Sequence, residues 1–71
     1  MEKYKFNGSR LVALRDSKNI SINKAAETVG VSMTLWKKWE MESHAPSVRM
    51  LIKIHEAFDV PPAYFFTEIE L

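Results

Sequence analysis

The chain has 71 residues, 46% of them hydrophobic, a formal net charge of +1 and no cysteine. That length predicts one domain, since ordinary domains run ~100–200 residues, with a core that buries only roughly 60% of the unfolded surface. Disulfides, thiolate metal sites and thiol chemistry are excluded, no apolar run approaches the ~20 residues of a membrane span, and so small a core argues against the deep pocket of a self-contained enzyme.

Glycine occurs only at Gly8 and Gly30, and proline only at Pro46, Pro61 and Pro62. These five residues punctuate the chain. No stretch shows sustained period-2 alternation, so strands are not expected. The first helix is predicted over Ser9 to Ser17, with Leu11 and Leu14 on one face, Asn7 or Ser9 as N-cap and Asn19 as a left-handed end. The second opens at Ser21. Its residues Ile22, Ala25, Ala26 and Val29 fall at i, i+3, i+4 and i+7, and Gly30 ends it. Ser32 then caps a third helix, about Met33 to Met41. Helix, short Gly-containing turn, helix is the spacing of a helix-turn-helix unit.

On the third helix Trp36 and Trp39 mark the buried side. Met33, Thr34, Lys37 and Lys38, at i, i+1, i+4 and i+5, share one exposed stripe. A loop through Pro46 leads to Ser47, the cap of a fourth helix, Val48 to Phe58. Its expected apolar set is Val48, Leu51, Ile54, Ala57 and Phe58, with Met50 and Ile52 flanking. Pro62 suits the first turn of a short fifth helix through Phe66. The tail from Thr67 has no clear assignment.

Taken in order, Leu11-x-x-Leu14-Arg15, Ile20-Ser21, Ala26-Glu27-x-Val29-Gly30-Val31-Ser32, Trp39-Glu40, Pro46-Ser47-x-x-x-Leu51 and Val60 ahead of Tyr64-Phe65-Phe66 resemble the phage-repressor and Cro-type helix-turn-helix domain. The resemblance covers about residues 10–66, with 1–8 and 67–71 as flanks. It implies an all-α, compact five-helix, lambda-repressor-like domain. The implied function is a cytoplasmic, usually homodimeric, sequence-specific regulator of bacterial or phage origin that binds double-stranded DNA, most simply as a repressor. It further implies an ion pair between Arg15 and Glu40.

In this family the third helix enters the major groove. Met33, Thr34, Lys37 and Lys38 are then the base readers, with Lys donating to guanine and Thr34 offering a hydroxyl and a methyl. Ser21, Asn23, Lys24, Ser32, Ser43 and His44 are the expected phosphate contacts, aided by helix N-termini. Ile52, Phe65, Phe66, Ile69 and Leu71 are the candidates for a dimer interface, with at least one of the two phenylalanines expected in the monomer core. Three positions depart from the family's common pattern: Ile22 stands where Gln is common, Glu42 where Gly is usual, and Trp36 where a smaller aliphatic packs. Ala25 and Ala26 leave room for that indole. These departures bear on binding strength more than on fold.

Charge agrees with a polyanion partner only locally. Residues 1–24 carry +4 and residues 25–71 carry −3, so a basic face can exist on a nearly neutral chain. Two histidines are too few for a metal site, and His55 reads as a structural or half-exposed residue, not a ligand. No cofactor is expected, and no small-molecule effector is implied. There is no Gly-rich phosphate loop or metal spacing, so an enzyme is not expected. The alternative class is a protein-interaction module, such as an antitoxin or adaptor, that keeps the fold and binds DNA weakly or not at all.

Overall fold

A computed structural model describes residues 3–69. In chain order these form β1 (Tyr4–Phe6), α1 (Ser9–Lys18), α2 (Ile22–Val29), α3 (Met33–Glu40), α4 (Val48–Phe58), a 3-10 turn (Pro62–Phe65) and β2 (Phe66–Glu68). The helix boundaries follow local chemistry. Asn19 takes the left-handed conformation, with φ 55°, at the end of α1. The hydroxyls of Ser21, Ser32 and Ser47 accept hydrogen bonds from the amides of Lys24, Leu35 and Met50, capping α2, α3 and α4. Gly30, with φ 88°, closes α2. There its N–H and that of Val31 both donate to the Ala26 carbonyl, so orphan groups at the helix end are satisfied before the chain turns.

Leu11, Leu14, Ala25, Ala26, Val29, Trp36, Trp39, Leu51, Ile54 and Phe65 form the buried core, with contributions from all four helices and the 3-10 turn. The Trp36 and Trp39 rings lie 5.8 Å apart between centroids, tilted by 54°. Ala25 and Ala26 are buried in the same cluster. Their small side chains are compatible with two indoles in so small a core.

Two expectations are corrected. The fifth helix is one 3-10 turn: Pro61 is extended, and Tyr64 N–H donates to the Pro61 carbonyl three residues back. Phe66 is already extended strand, so four residues are too few for an α-helix. The chain is therefore not all-α, because β1 and β2 pair antiparallel, Tyr4 with Glu68, Lys5 with Thr67 and Phe6 with Phe66. Each strand is three residues long, below the length at which alternation is readable. Their pairing depends on the helices bringing the two flanks together. Phe6 packs edge-on to Phe66, 6.1 Å between centroids, and against Phe65, which joins the strand pair to the core.

On α4, Leu51 and Ile54 are buried, but Val48 and Ala57 are exposed. At 100° per residue both lie roughly a quarter turn from the buried stripe. His55 is also exposed, its Nδ1 3.2 Å from the Val60 carbonyl. Among the described residues no helix is long and apolar enough to cross a membrane.

Candidate nucleic-acid interface

α2 and α3 pack on each other more extensively than any other helix pair. Their shared core is Ala25, Ala26, Val29, Trp36 and Trp39. The opposite side of α3 is open: Thr34, Lys37 and Lys38 are exposed, and Met33 is 44% exposed. The stripe read from spacing is thus an uncovered stripe of the folded chain. Ser21, Asn23, Lys24, Ser32, Ser43 and His44 are exposed as well. Ser21 and Ser32 accept through their hydroxyl oxygens as caps, which leaves each hydroxyl proton free to donate. Ser43 and His44 are brought to α3. The Ser43 amide and hydroxyl and the His44 amide all reach the Lys38 carbonyl, at 3.0, 3.4 and 3.4 Å. The loop after α3 therefore folds back onto the turn that carries Lys38.

Behind the open stripe, the Glu40 carboxylate anchors α3 to α1 and holds the Trp36 indole. Arg15 Nε donates to Glu40 Oε2 at 2.8 Å, and Arg15 Nη2 approaches Oε1 at 3.4 Å. The Trp36 indole N–H donates to Glu40 Oε2 at 2.6 Å. Arg15 also donates to the Ile20 carbonyl at the α1–α2 junction. The arginine side chain is 17% exposed and the glutamate 10%. Hydrogen bonding to Glu40 raises the guanidinium pKa above its ordinary value, against the opposing effect of burial. Trp36 is thus more than a larger core residue. Its N–H reaches the pair, which an aliphatic could not do.

The other two departures also act inside the fold. Ile22 is half-buried against the core. Glu42 has φ 64°, the left-handed backbone a Gly would take without cost, and its carboxylate accepts the Gly8 N–H at 2.8 Å. Sequence reasoning flagged Glu42 without finding its partner, 34 residues away. It missed Arg10 altogether. Arg10 donates to the Tyr64 carbonyl at 3.0 Å and stacks 5.0 Å from the Tyr64 ring centroid, and nothing local in the sequence signals this.

The dimer candidates divide. Phe65 is fully buried in the monomer, so it belongs to the core rather than to a subunit surface. Ile52 is 49% exposed, while Phe66 and Ile69 are half-buried. Leu71 lies outside the described residues. An open apolar hollow lined by Tyr4, Ala63 and Phe66 sits beside the strand pair. Among the described residues no cluster of His, Asp or Glu has the makings of a metal site.

Residues 8–71 match the family model described as a helix-turn-helix domain. A protein of Methanocaldococcus jannaschii named as an HTH-type transcriptional regulatory protein is 40% identical over 57 residues, which is 80% of this chain. The chain spans 18% of that relative's length. No solved structure matches. Capped α2, the Gly30 turn and capped α3 agree with that match, and the chain belongs to the helix-turn-helix family of DNA-binding domains.

Proposed function

We propose that this chain is a sequence-specific, double-stranded DNA-binding regulator that reads the major groove with α3. One observation carries the reading: Met33, Thr34, Lys37 and Lys38 stand exposed on one stripe of a helix whose other side is buried and braced through Glu40. Lys37 and Lys38 donate to guanine O6 and N7. Thr34 hydrogen-bonds a base edge or lays its methyl on a thymine methyl, and Met33 makes apolar contact. Ser21, Asn23, Lys24, Ser32, Ser43 and His44 hold phosphates and set the register.

A single domain neutralises few phosphates. A homodimer reading two half-sites ~34 Å apart remedies this, with Ile52, Phe66 and Ile69 in its interface. A cytoplasmic repressor of bacterial or phage origin, acting by occupying its site, is the simplest form of such a regulator.

Fluorescence-anisotropy titration tests the reading. Random duplex binds at low salt, with log K falling linearly against log salt, and duplexes selected from a random library bind more tightly at moderate salt. Absence of any duplex binding at low salt refutes the reading and leaves the protein-interaction module in its place.

A further inference from the structure

Among the described residues three non-glycine residues have positive φ: Asn19, Glu42 and Asp59. Asn and Asp tolerate that region because their short polar side chains bond locally, but a Glu has no such excuse. A residue held there persists only when its surroundings over-determine it. The surroundings of Glu42 are the start of α1. Gly8 is buried, and a Cβ on it would stand 2.5 Å from the Glu40 carbonyl oxygen and 2.6 Å from that of Trp39. The end of α3 is therefore seated directly on the backbone at the beginning of α1. The Glu42 carboxylate closes this seat by accepting the Gly8 N–H at 2.8 Å. The first turn of α1 has no acid of its own, so Glu42 supplies the negative charge that a helix start attracts.

Glu40 and Glu42 thus fasten the end of α3 to α1 at two levels, Arg15 and Gly8. Those levels are about 10 Å apart along the helix at ~1.5 Å per residue. One anchor fixes a distance; two fix an angle. We propose that Glu42 is a positioning residue for base reading, holding α3 and its following loop at the tilt from which Thr34, Lys37 and Lys38 meet base edges. The proposal rests on the reading that α3 enters the groove. Base-edge hydrogen bonds are directional and need placement within about 0.5 Å, whereas the attraction of a lysine point charge such as Lys24 to a phosphate survives a small tilt. Loosening the clamp therefore removes discrimination between sequences before it removes affinity for DNA. A Glu42 that were merely a negative charge near the duplex would act differently, because its removal would strengthen binding to every sequence alike.

The test compares wild type, Glu42→Gln and Glu42→Gly on a duplex selected by the wild-type protein and on a random duplex, together with hydrogen exchange of the Gly8 amide. Glycine suits φ 64°, so Glu42→Gly folds, as thermal unfolding verifies. Glu42→Gln keeps an acceptor and drops the charge. It retains Gly8 protection and the wild-type ratio of selected to random affinity. Glu42→Gly loses Gly8 protection and lowers that ratio by about tenfold, the scale of one good base contact, with random-duplex affinity unchanged or higher. Equal shifts on both duplexes in Glu42→Gly, or a protected Gly8 amide in that variant, overturn the clamp while the DNA reading stands. Wild type that binds neither duplex at low salt overturns the DNA reading and the clamp's role with it.

Discussion

Glu40→Ala removes one carboxylate and releases three donors, and its cost can be worked from the contacts. Trp36 is fully buried, and its N–H has Glu40 Oε2 at 2.6 Å as acceptor; orphaning such a group costs about 1–3 kcal/mol. Breaking a buried ion pair costs about 3–5 kcal/mol. Arg15 is 17% exposed and keeps the Ile20 carbonyl, so water and one remaining bond reduce its share to about 1–2 kcal/mol. The sum is about 2–5 kcal/mol, and about 3 kcal/mol serves as its working value. A chain of this length has a total stability of about 4–10 kcal/mol, so the variant folds with a narrow margin. Its melting temperature falls by about 12–24 °C. Urea and thermal unfolding, followed by tryptophan fluorescence and far-UV circular dichroism, measure this directly. A double-mutant cycle locates the source: in a Trp36→Phe background, which lacks the indole donor, Glu40→Ala costs about 1–2 kcal/mol less than in wild type. A Glu40→Ala protein within about 1 kcal/mol of wild type would show that the carboxylate does not hold α3, and the anchoring argument would fail with it.

The two glycines separate contact from conformation. Gly8→Ala puts a Cβ into backbone carbonyls that cannot swing aside, and chemical unfolding should show a loss of about 1–3 kcal/mol despite alanine's better helix propensity. Gly30→Ala meets nothing within 4 Å but keeps φ 88°, so the same measurement gives about 1–2 kcal/mol of pure backbone strain. Because Glu40 raises the Arg15 pKa, the stabilisation by that guanidinium is complete below the ordinary arginine value and is lost only as pH rises through the raised one. The stability difference between wild type and Arg15→Met is therefore flat from about pH 6 to 10, and a step within that window contradicts the pairing. On DNA, Lys24→Ala weakens all duplexes alike and reduces the salt slope by about 1, whereas Lys38→Ala flattens base preference at one position; the same binding titrations, run at several salt concentrations, distinguish them.

What was legible in the sequence acts over three or four residues. Ser21, Ser32 and Ser47 announce helix starts because a cap bonds an amide three residues on, and Gly30 and Asn19 announce ends because few residue types take positive φ. The exposed stripe is legible for the same reason: Trp36 and Trp39 fix which side of α3 is inside, so Thr34, Lys37 and Lys38 have only the outside left. The illegible parts are long-range. β1 and β2 are three residues each at opposite ends of the chain. Glu42 meets Gly8 across 34 residues, and Arg10 meets Tyr64 across 54. No local pattern announces either partner. Arg15 and Glu40 were paired by family resemblance, since a separation of 25 residues on two different helices carries no periodic signal.

These long-range contacts also change the meaning of the charge pattern. The +4 of residues 1–24 suggested that the basic face comes from an excess of bases near the amino terminus. The structure distributes those bases otherwise. Arg15 is spent on Glu40, Arg10 lies on Tyr64, and Lys5 belongs to a strand at the end where the flanks meet. Two acids at the end of α3 are engaged: Glu40 bonds Arg15 and Trp36, and Glu42 bonds the start of α1. Lys37 and Lys38 stand on the outer side of α3, and Lys24 at the first turn of α2 is exposed as well. A nearly neutral chain acquires a local positive surface less by accumulating bases there than by engaging the neighbouring carboxylates, Glu40 with Arg15 and Trp36 and Glu42 with the Gly8 amide, in contacts that also fasten the helix carrying the lysines.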